Sequence, residues 1–141
     1  MRFMMIMFPG SYASNQPGNI PDVKHFEEMG KYNEQLQKAG VLLALDGLTP
    51  PATMSARVTF KGGKSKVTDG PFPEAKEVVG GYWIIQVKSR EEALEWASRI
   101  PGQDNETVEV RRMFELSDFD PATQIEIQKK FGDIDAAPAP Q

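Results

Sequence analysis

The sequence predicts a small α+β fold built on a mainly antiparallel sheet, and three observations lead to this prediction. Apolar runs of strand length alternate with amphipathic helical segments in the order β-α-β, hairpin, β-α-β. The 141 residues are 40% hydrophobic and 26% charged, as expected of one globular domain. No apolar stretch approaches the roughly 20 residues that a membrane-spanning helix needs.

The first half of the chain is expected to form two strands and a helix. Residues 2–8 are a continuous apolar run, which predicts a strand covered on both faces or lying at an interface. The run stops at Pro9-Gly10, which is short for the core of a secretory signal. The helix is expected to begin after Asp22, an N-cap residue, and to end at Gly40. Residues 41–45 follow as a buried strand.

The second half begins with a predicted hairpin. Residues 56–60 and 64–68 are expected to pair around Lys61-Gly62-Gly63, where the glycines supply positive φ angles. Two further strands are predicted over residues 82–87 and 107–116. Between them lies a second helix, which should open with a capping box in which Ser89 and Glu92 bond each other's backbone amides.

The C-terminal region is expected to add one helix to this domain. Asp120-Pro121 has the pattern of an N-cap followed by proline at the first helical position. The sequence therefore divides into a domain over residues 1–116, a helix over 117–132 and a Pro/Ala-rich tail over 133–141 that we expect to be disordered.

Without the hairpin, the order of elements is βαββαβ, the ferredoxin-like arrangement with a β-hairpin insertion. Both helices would then cover one face of the sheet. We expect the open face to carry Met4 or Met5, Trp83 and Ile85. Because a large exposed apolar patch usually binds a partner, we predict a homodimer of the dimeric α+β barrel type.

One segment carries a family resemblance. Thr68-Asp69-Gly70-Pro71-Phe72-Pro73-Glu74-Ala75-Lys76-Glu77, followed by Gly80-Gly81-Tyr82, resembles the DGPF branch of the YCII-related proteins. Ala75 departs from the threonine that is common there. The resemblance implies a ferredoxin-like fold, a dimeric barrel and a cleft near the subunit interface, but no established reaction. Relatives have a His–Asp pair that is proposed as catalytic. We do not assign this pair here, because the spacing from His25 to Gly40 is about one helical turn longer than the family pattern.

The same segment supplies most of the candidate site residues. Asp69 either closes a turn, with Gly70 at positive φ, or serves as a ligand-binding carboxylate or base. Glu77 and His25 are the other catalytic candidates, although the position of His25 near a helix start favours a surface or packing role. The predicted ligand-binding residues are Asp69, Glu74, Lys76, Glu77, Arg57 and Asn33.

The expected function is binding of a small polar or anionic organic molecule, with proton-transfer chemistry as one version. The alternative is a non-catalytic regulatory or interaction module that binds another protein. No cysteine and one histidine disfavour a metal site, and no cofactor motif is found. A net charge of −4 disfavours nucleic acid as a partner. We expect a cytoplasmic protein with no membrane partner.

Overall fold

The computed structural model describes residues 1–10, 22–72 and 77–135. Its main sheet has four antiparallel strands in the order β2-β5-β1-β6, and β3 and β4 form a separate hairpin. This mixed α+β architecture is compatible with the predicted ferredoxin-like fold. The strands are β1 Arg2–Phe8, β2 Leu42–Gly47, β3 Ala56–Lys61, β4 Lys64–Asp69, β5 Gly81–Gln86 and β6 Thr107–Arg112, and the helices are α1 Val23–Lys38, α2 Arg90–Ser98 and α3 Pro121–Phe131.

Helix α1 begins and ends where the sequence predicts. The Asp22 carboxylate accepts a hydrogen bond of 2.9 Å from the backbone N–H of His25, which satisfies one free donor of the first turn. Gly40 follows the helix with φ of 72°, a conformation that glycine adopts without strain. Tyr32 and Leu36 are the buried residues of this helix, so the sheet-facing stripe lies towards its C-terminal half.

The core lies between the helices and one face of the main sheet. Phe3, Met5 and Met7 alternate with less buried neighbours along β1, and Trp83 and Ile85 do the same along β5. The prediction that Trp83 and Ile85 lie on the open face is therefore wrong. The register places Met5 opposite Trp83, on the side covered by α1 and α2. The open face carries Met4, Ile6, Phe8, Tyr82 and Ile84, each half-buried.

The hairpin is confirmed, with a two-residue turn. Lys61 pairs with Lys64, and Gly62 and Gly63 between them both have positive φ. Every residue of β3 and β4 is exposed. The hairpin thus extends from the body without a cover within the described parts of the chain.

The capping box of α2 differs from the predicted one. Ser89 Oγ accepts from the backbone N–H of Glu92, as expected. The Glu92 carboxylate accepts from the backbone N–H of Lys88, one residue before the predicted donor. Both bonds satisfy donors at the helix entrance, so the helix still begins at the predicted position.

The C-terminal region after β6 turns back towards the start of the chain. A short 3-10 helix, Leu116–Asp118, follows β6, and Asp120 caps α3 through the backbone N–H of Thr123. Helix α3 has no buried residue. The Asp135 carboxylate accepts a hydrogen bond of 2.9 Å from the backbone N–H of Leu116. Within the described residues, no helix has the length and apolar character needed to cross a membrane.

Candidate functional site

A cavity of about 700 Å³ lies between the N-terminal half of α1 and one end of the main sheet. Its volume is in the range typical of sites for small organic ligands. Helix α1 contributes one wall and strands β1, β2 and β5 the other. The residues that line it are Met7, Pro9, Asp22, His25, Phe26, Met29, Gly30, Asn33, Leu45, Asp46, Gly47, Gly80, Gly81, Tyr82, Trp83, Gln103 and Glu106.

Two glycines in the sheet explain why there is space beneath the helix. Met7, Gly81 and Gly47 lie side by side in one row across β1, β5 and β2. The next row, Met5, Trp83 and Leu45, carries full side chains that pack in the core. Side chains are therefore missing at two positions of the row below α1. A Cβ atom on Gly81 would lie 3.0 Å from the Asp46 carbonyl oxygen, so the tight strand pairing also favours glycine there.

The inner end of the cavity is fixed by an aromatic and amide cluster. The Trp83 indole N–H donates to Asn33 Oδ1 at 2.8 Å, which fixes a strand side chain to α1. The Tyr32 ring packs edge-on to Trp83 at 5.9 Å between centroids. The Tyr32 hydroxyl donates to the Trp96 carbonyl oxygen at 2.7 Å. Burial raises the pKa of Tyr32 above its ordinary value, and Arg99 opposes this rise only in part.

His25 is the titratable side chain of the cavity with the most unusual surroundings. Its Nδ1 is buried and has no hydrogen-bond partner among the described residues. Asp22, one turn earlier, uses Oδ1 to cap the helix through the backbone N–H of His25. Buried polar atoms are normally hydrogen-bonded, since an unpaired one costs roughly 1–3 kcal/mol. His25 lines the cavity, and its Nδ1 is the buried polar atom that no described residue satisfies.

The charges along the cavity are negative. Asp22, Asp46 and Glu106 line it, and no lysine or arginine does so among the described residues. Glu106 Oε1 accepts from the backbone N–H of Gln103 at 2.7 Å, which fixes this carboxylate in a loop on one side. Asp46 pairs with Tyr82, so its side chain lies on the opposite face of the sheet.

A second, smaller cavity of about 430 Å³ lies beside the base of the hairpin. Arg57, Phe72 and Glu77 line it together with residues of the segment 48–56. The Arg57 guanidinium lies 3.9 Å from the centre of the Phe72 ring, a cation–π contact. Phe72 is buried, but it lies outside the main core cluster. It therefore fixes residues 69–72, the DGPF segment, against the base of the hairpin.

Glycine is required at position 70 for a different reason from the predicted one. The φ angle of Gly70 is not positive. A Cβ atom at this position would overlap Ser55 Oγ and the Pro51 carbonyl oxygen, and the Gly70 N–H donates to the Ser55 carbonyl oxygen at 2.8 Å. The expectation of a left-handed glycine is wrong, and close approach of the backbone to segment 51–55 requires the residue.

The predicted site residues thus fall into separate groups. His25 and Asn33 lie together at the larger cavity. Arg57 and the exposed Glu77 lie together at the smaller cavity, and Asp69, also exposed, lines neither of the two. Glu74 and Lys76 lie outside the described residues.

Sequence reasoning missed several residues of the larger cavity. Glu106 lies in the loop before β6, a position with no motif, and Gly47 lies beyond the end of the strand predicted over residues 41–45. A usable signal was the pair Gly80-Gly81 at the start of an otherwise bulky strand. Over the described ranges, no group of three or more His, Cys, Asp or Glu side chains is arranged to hold a metal ion.

Comparison with known proteins gives a family and no activity. The chain is 32% identical over 76 residues to an uncharacterized protein of Rhizobium meliloti (strain 1021). That match covers 54% of this chain and 60% of the relative, so it spans less than two thirds of that protein. The family model of the YCII-related domain matches residues 1–117, which contain the main sheet, α1, α2 and both cavities. The chain therefore belongs to the YCII-related family.

Proposed function

We propose that this protein binds a small polar organic molecule in the larger cavity and that His25 exchanges a proton with it. The observation that carries the proposal is the buried, unpartnered Nδ1 of His25 at a cavity of about 700 Å³. A neutral imidazole has one nitrogen that donates and one that accepts. A bound ligand would supply the missing partner, and imidazole is the side chain best suited to proton transfer near neutral pH.

The geometry around His25 supports this role. The Asp22 cap fixes the first turn of α1, and the Trp83–Asn33 hydrogen bond ties the middle of the helix to β5. A side chain held on an ordered helix is positioned more accurately than one on a free loop. Asp69 and Glu77 remain proposed alternatives as base, but neither lines the cavity that His25 lines.

Binding is tested by a metabolite screen with a blocked cavity. Ligands should raise the melting temperature of the wild type, because they bind the folded state. Gly47→Leu should abolish these shifts, because the added side chain would occupy the cavity. The fold should tolerate the change, since a Cβ atom at Gly47 meets nothing within 4 Å and φ is not positive there. Ser65→Leu adds the same side chain on the exposed hairpin and should keep them. Equal shifts in both variants would mean that the ligand binds elsewhere.

Proton transfer is tested with any ligand that the screen identifies. In D₂O the wild type should accelerate exchange of an acidic C–H of the ligand, followed by NMR. His25→Gln should reduce this rate by roughly 100-fold or more, the usual contribution of a general acid–base group. Glu77→Gln should leave it unchanged. The opposite pattern would move the chemistry to the smaller cavity.

We also propose that the open sheet face mediates a homodimer. Met4, Ile6, Tyr82 and Ile84 lie on this face, and burying apolar surface stabilises association by about 25 cal/mol per Å². Sedimentation should give a dimer for the wild type and a monomer for Ile84→Lys. Phe60→Ser on the hairpin should stay dimeric. A monomeric wild type would contradict the proposal.

A second candidate function, binding of another protein, rests on the hairpin. Val58, Phe60 and Val67 lie on one face of it and are all exposed. We propose, from residues 69–72, that the chain belongs to the DGPF branch of the family. In this second function, that segment would hold the base of the hairpin in place. If Phe60→Ser abolishes co-purification of a cellular partner while Gly47→Leu does not, this function would be preferred to ligand binding.

A further inference from the structure

The composition of the larger cavity indicates the chemical class of its ligand. We propose that the cavity selects a compact organic cation, such as a protonated amine attached to an apolar group. This inference rests on the proposed function, because it assumes that the cavity is the ligand site. It differs from the anionic alternative of the polar or anionic molecule expected from the sequence.

The apolar part of the ligand is indicated by the walls. Met7, Met29 and Leu45 line the space, and Trp83 closes it at the inner end. Phe26 lies on the α1 wall and is 60% exposed, which is unusual for so large an apolar side chain. Its ring and that of Trp83 line the cavity, and aromatic rings attract cations electrostatically.

The charge of the ligand is indicated by the carboxylates. Asp22 and Glu106 line the cavity, and each uses one carboxylate oxygen to accept from a backbone N–H, at 2.9 and 2.7 Å. Each therefore keeps a second oxygen that can accept from a ligand. An anion would approach these charges with no lysine or arginine among the described lining residues to offset them.

The start of helix α1 carries charge of the opposite sign. The N-terminus of α1 contributes a partial positive charge of about one half, but the Asp22 carboxylate that caps it carries a full negative charge. Residues 11–21, which precede Asp22 in the sequence, include no charged residue. The balance at the cavity therefore remains negative.

His25 fits the same ligand class. An ammonium group donates hydrogen bonds and accepts none. The Nδ1 of a neutral imidazole accepts one when Nε2 carries the proton, so a bound amine would satisfy the atom that lacks a partner. The amine would contact His25 and the two carboxylates, while its apolar group would contact Met29 and Trp83.

Three probes of similar shape test the proposal: benzylamine, benzyl alcohol and benzoate. His25 is the chain's one histidine, so its ring gives a single assignable signal in NMR. The Trp83 indole N–H reports on the inner end, and that of Trp96 serves as an internal reference. At neutral pH benzylamine should shift the His25 and Trp83 signals at a concentration at least about tenfold lower than benzoate, which corresponds to about 1.4 kcal/mol.

Matched variants separate the charge effect from the fold. Asp22→Asn keeps an N-cap side chain, and Glu106→Gln keeps an acceptor for Gln103. The double variant should reduce the preference for benzylamine over benzoate to less than about threefold, since an attraction between unit charges would be lost. Glu109→Gln, at a residue that pairs with Ile6 on the open face and does not line the cavity, should change it much less.

The possible outcomes distinguish this inference from the proposed function. If benzoate or benzyl alcohol shifts His25 and Trp83 as strongly as benzylamine, and Gly47→Leu removes the shifts, the cavity binds ligands and the cation class is wrong. If a preference for benzylamine survives in the double variant, the carboxylates are not its cause and the inference is equally overturned. If none of the probes affects either signal, both the inference and the proposed function are rejected.

Discussion

The main sheet and the hairpin are built from the same kind of strand pairing, but they differ in what covers them. In the main sheet, β1 and β5 present buried side chains at every second position to α1 and α2. In the hairpin, all twelve paired residues are exposed. Backbone pairing is equally regular in both, with six matched residue pairs between β3 and β4 and six between β1 and β5.

The difference shows that burial, and not strand pairing, distinguishes the stable body from the hairpin. A two-stranded hairpin alone is marginally stable in water. Here its faces differ in chemistry, since Val58, Phe60 and Val67 share one face and four basic residues share the other. These basic residues are Arg57, Lys61, Lys64 and Lys66. The hairpin is therefore suited to contacts outside the body, while the body holds the larger cavity.

The largest expected effect comes from truncating one apolar side chain in each region. Ile85 in β5 is 0% exposed, whereas Phe60 in β3 is 80% exposed. Ile85→Ala should lower the free energy of unfolding by about 2–5 kcal/mol, because it removes packed methyl groups and leaves a cavity. Phe60→Ala should change it by less than about 0.5 kcal/mol. Urea denaturation monitored by circular dichroism measures both.

If Phe60→Ala lowered the free energy of unfolding by more than about 2 kcal/mol, the hairpin would have to be covered in solution, and the difference between the two regions would not hold. Repeating the measurement at several protein concentrations identifies the cover. A concentration-dependent loss would indicate a second copy of the chain. A concentration-independent loss would indicate contacts within one chain.

A smaller effect is expected from the hydrogen bond inside the body. Tyr32→Phe removes the donor to the Trp96 carbonyl oxygen and should lower the free energy of unfolding by about 0.5–1.5 kcal/mol. Tyr82→Phe is the matched control, since Tyr82 lies on the open face. Denaturation at neutral pH compares the two variants, and an equal loss in both would contradict the assigned role of Tyr32.

The same tyrosine should make stability depend on pH in alkaline solution. Burial raises the pKa of Tyr32 in the folded state above its ordinary value of about 10. Above pH of about 10 the unfolded chain releases this proton while the folded chain retains it, so stability falls as pH rises. Tyr32→Phe should remove that part of the decline, measured as the difference from wild type in melting temperature between pH 9 and about 11.

Most of the fold follows from local signals in the sequence. Asp22, Gly40, Ser89 and Asp120 mark helix ends, and each lies at the predicted place because capping depends on a few neighbouring residues. The faces of the sheet were harder to predict. Residues 2–8 are apolar at every position, so the sequence has no alternation to show which side chains face the helices.

The candidate site was predictable only in part. His25 and Asn33 could be selected as polar residues on α1, but their common cavity depends on the row of Gly47 and Gly81, which are 34 positions apart in the chain and adjacent in the sheet. Glu106 joins them through the loop before β6. Such proximity follows from strand order, which no local pattern encodes. The role of Gly70 was missed for the same reason, because Pro51 approaches it from a distant segment.

The smallest expected effect concerns strand β6 at the edge of the main sheet. Its polar contacts are exposed to solvent, as the side chains of the hairpin are. Arg112 at the end of β6 donates to the Asp118 carboxylate, and this hydrogen bond is the main reason that the pKa of Asp118 lies below its ordinary value. The backbone N–H of Glu115 adds a second bond of 2.7 Å.

Arg112→Gln should raise the pKa of Asp118 towards its ordinary value, measured by NMR titration of the carboxyl carbon. The backbone bond from Glu115 should keep the shift incomplete. The lowered pKa stabilises the folded state above the ordinary aspartate pKa of about 3.9, and this stabilisation is lost as pH falls through the folded value. The melting temperature at neutral pH should therefore differ little from wild type, because exposed ion pairs contribute little. Arg111→Gln, on the opposite face, is the control and should leave the pKa of Asp118 unchanged. An equal shift in both variants would show that general charge, and not the Arg112 contact, holds this carboxylate.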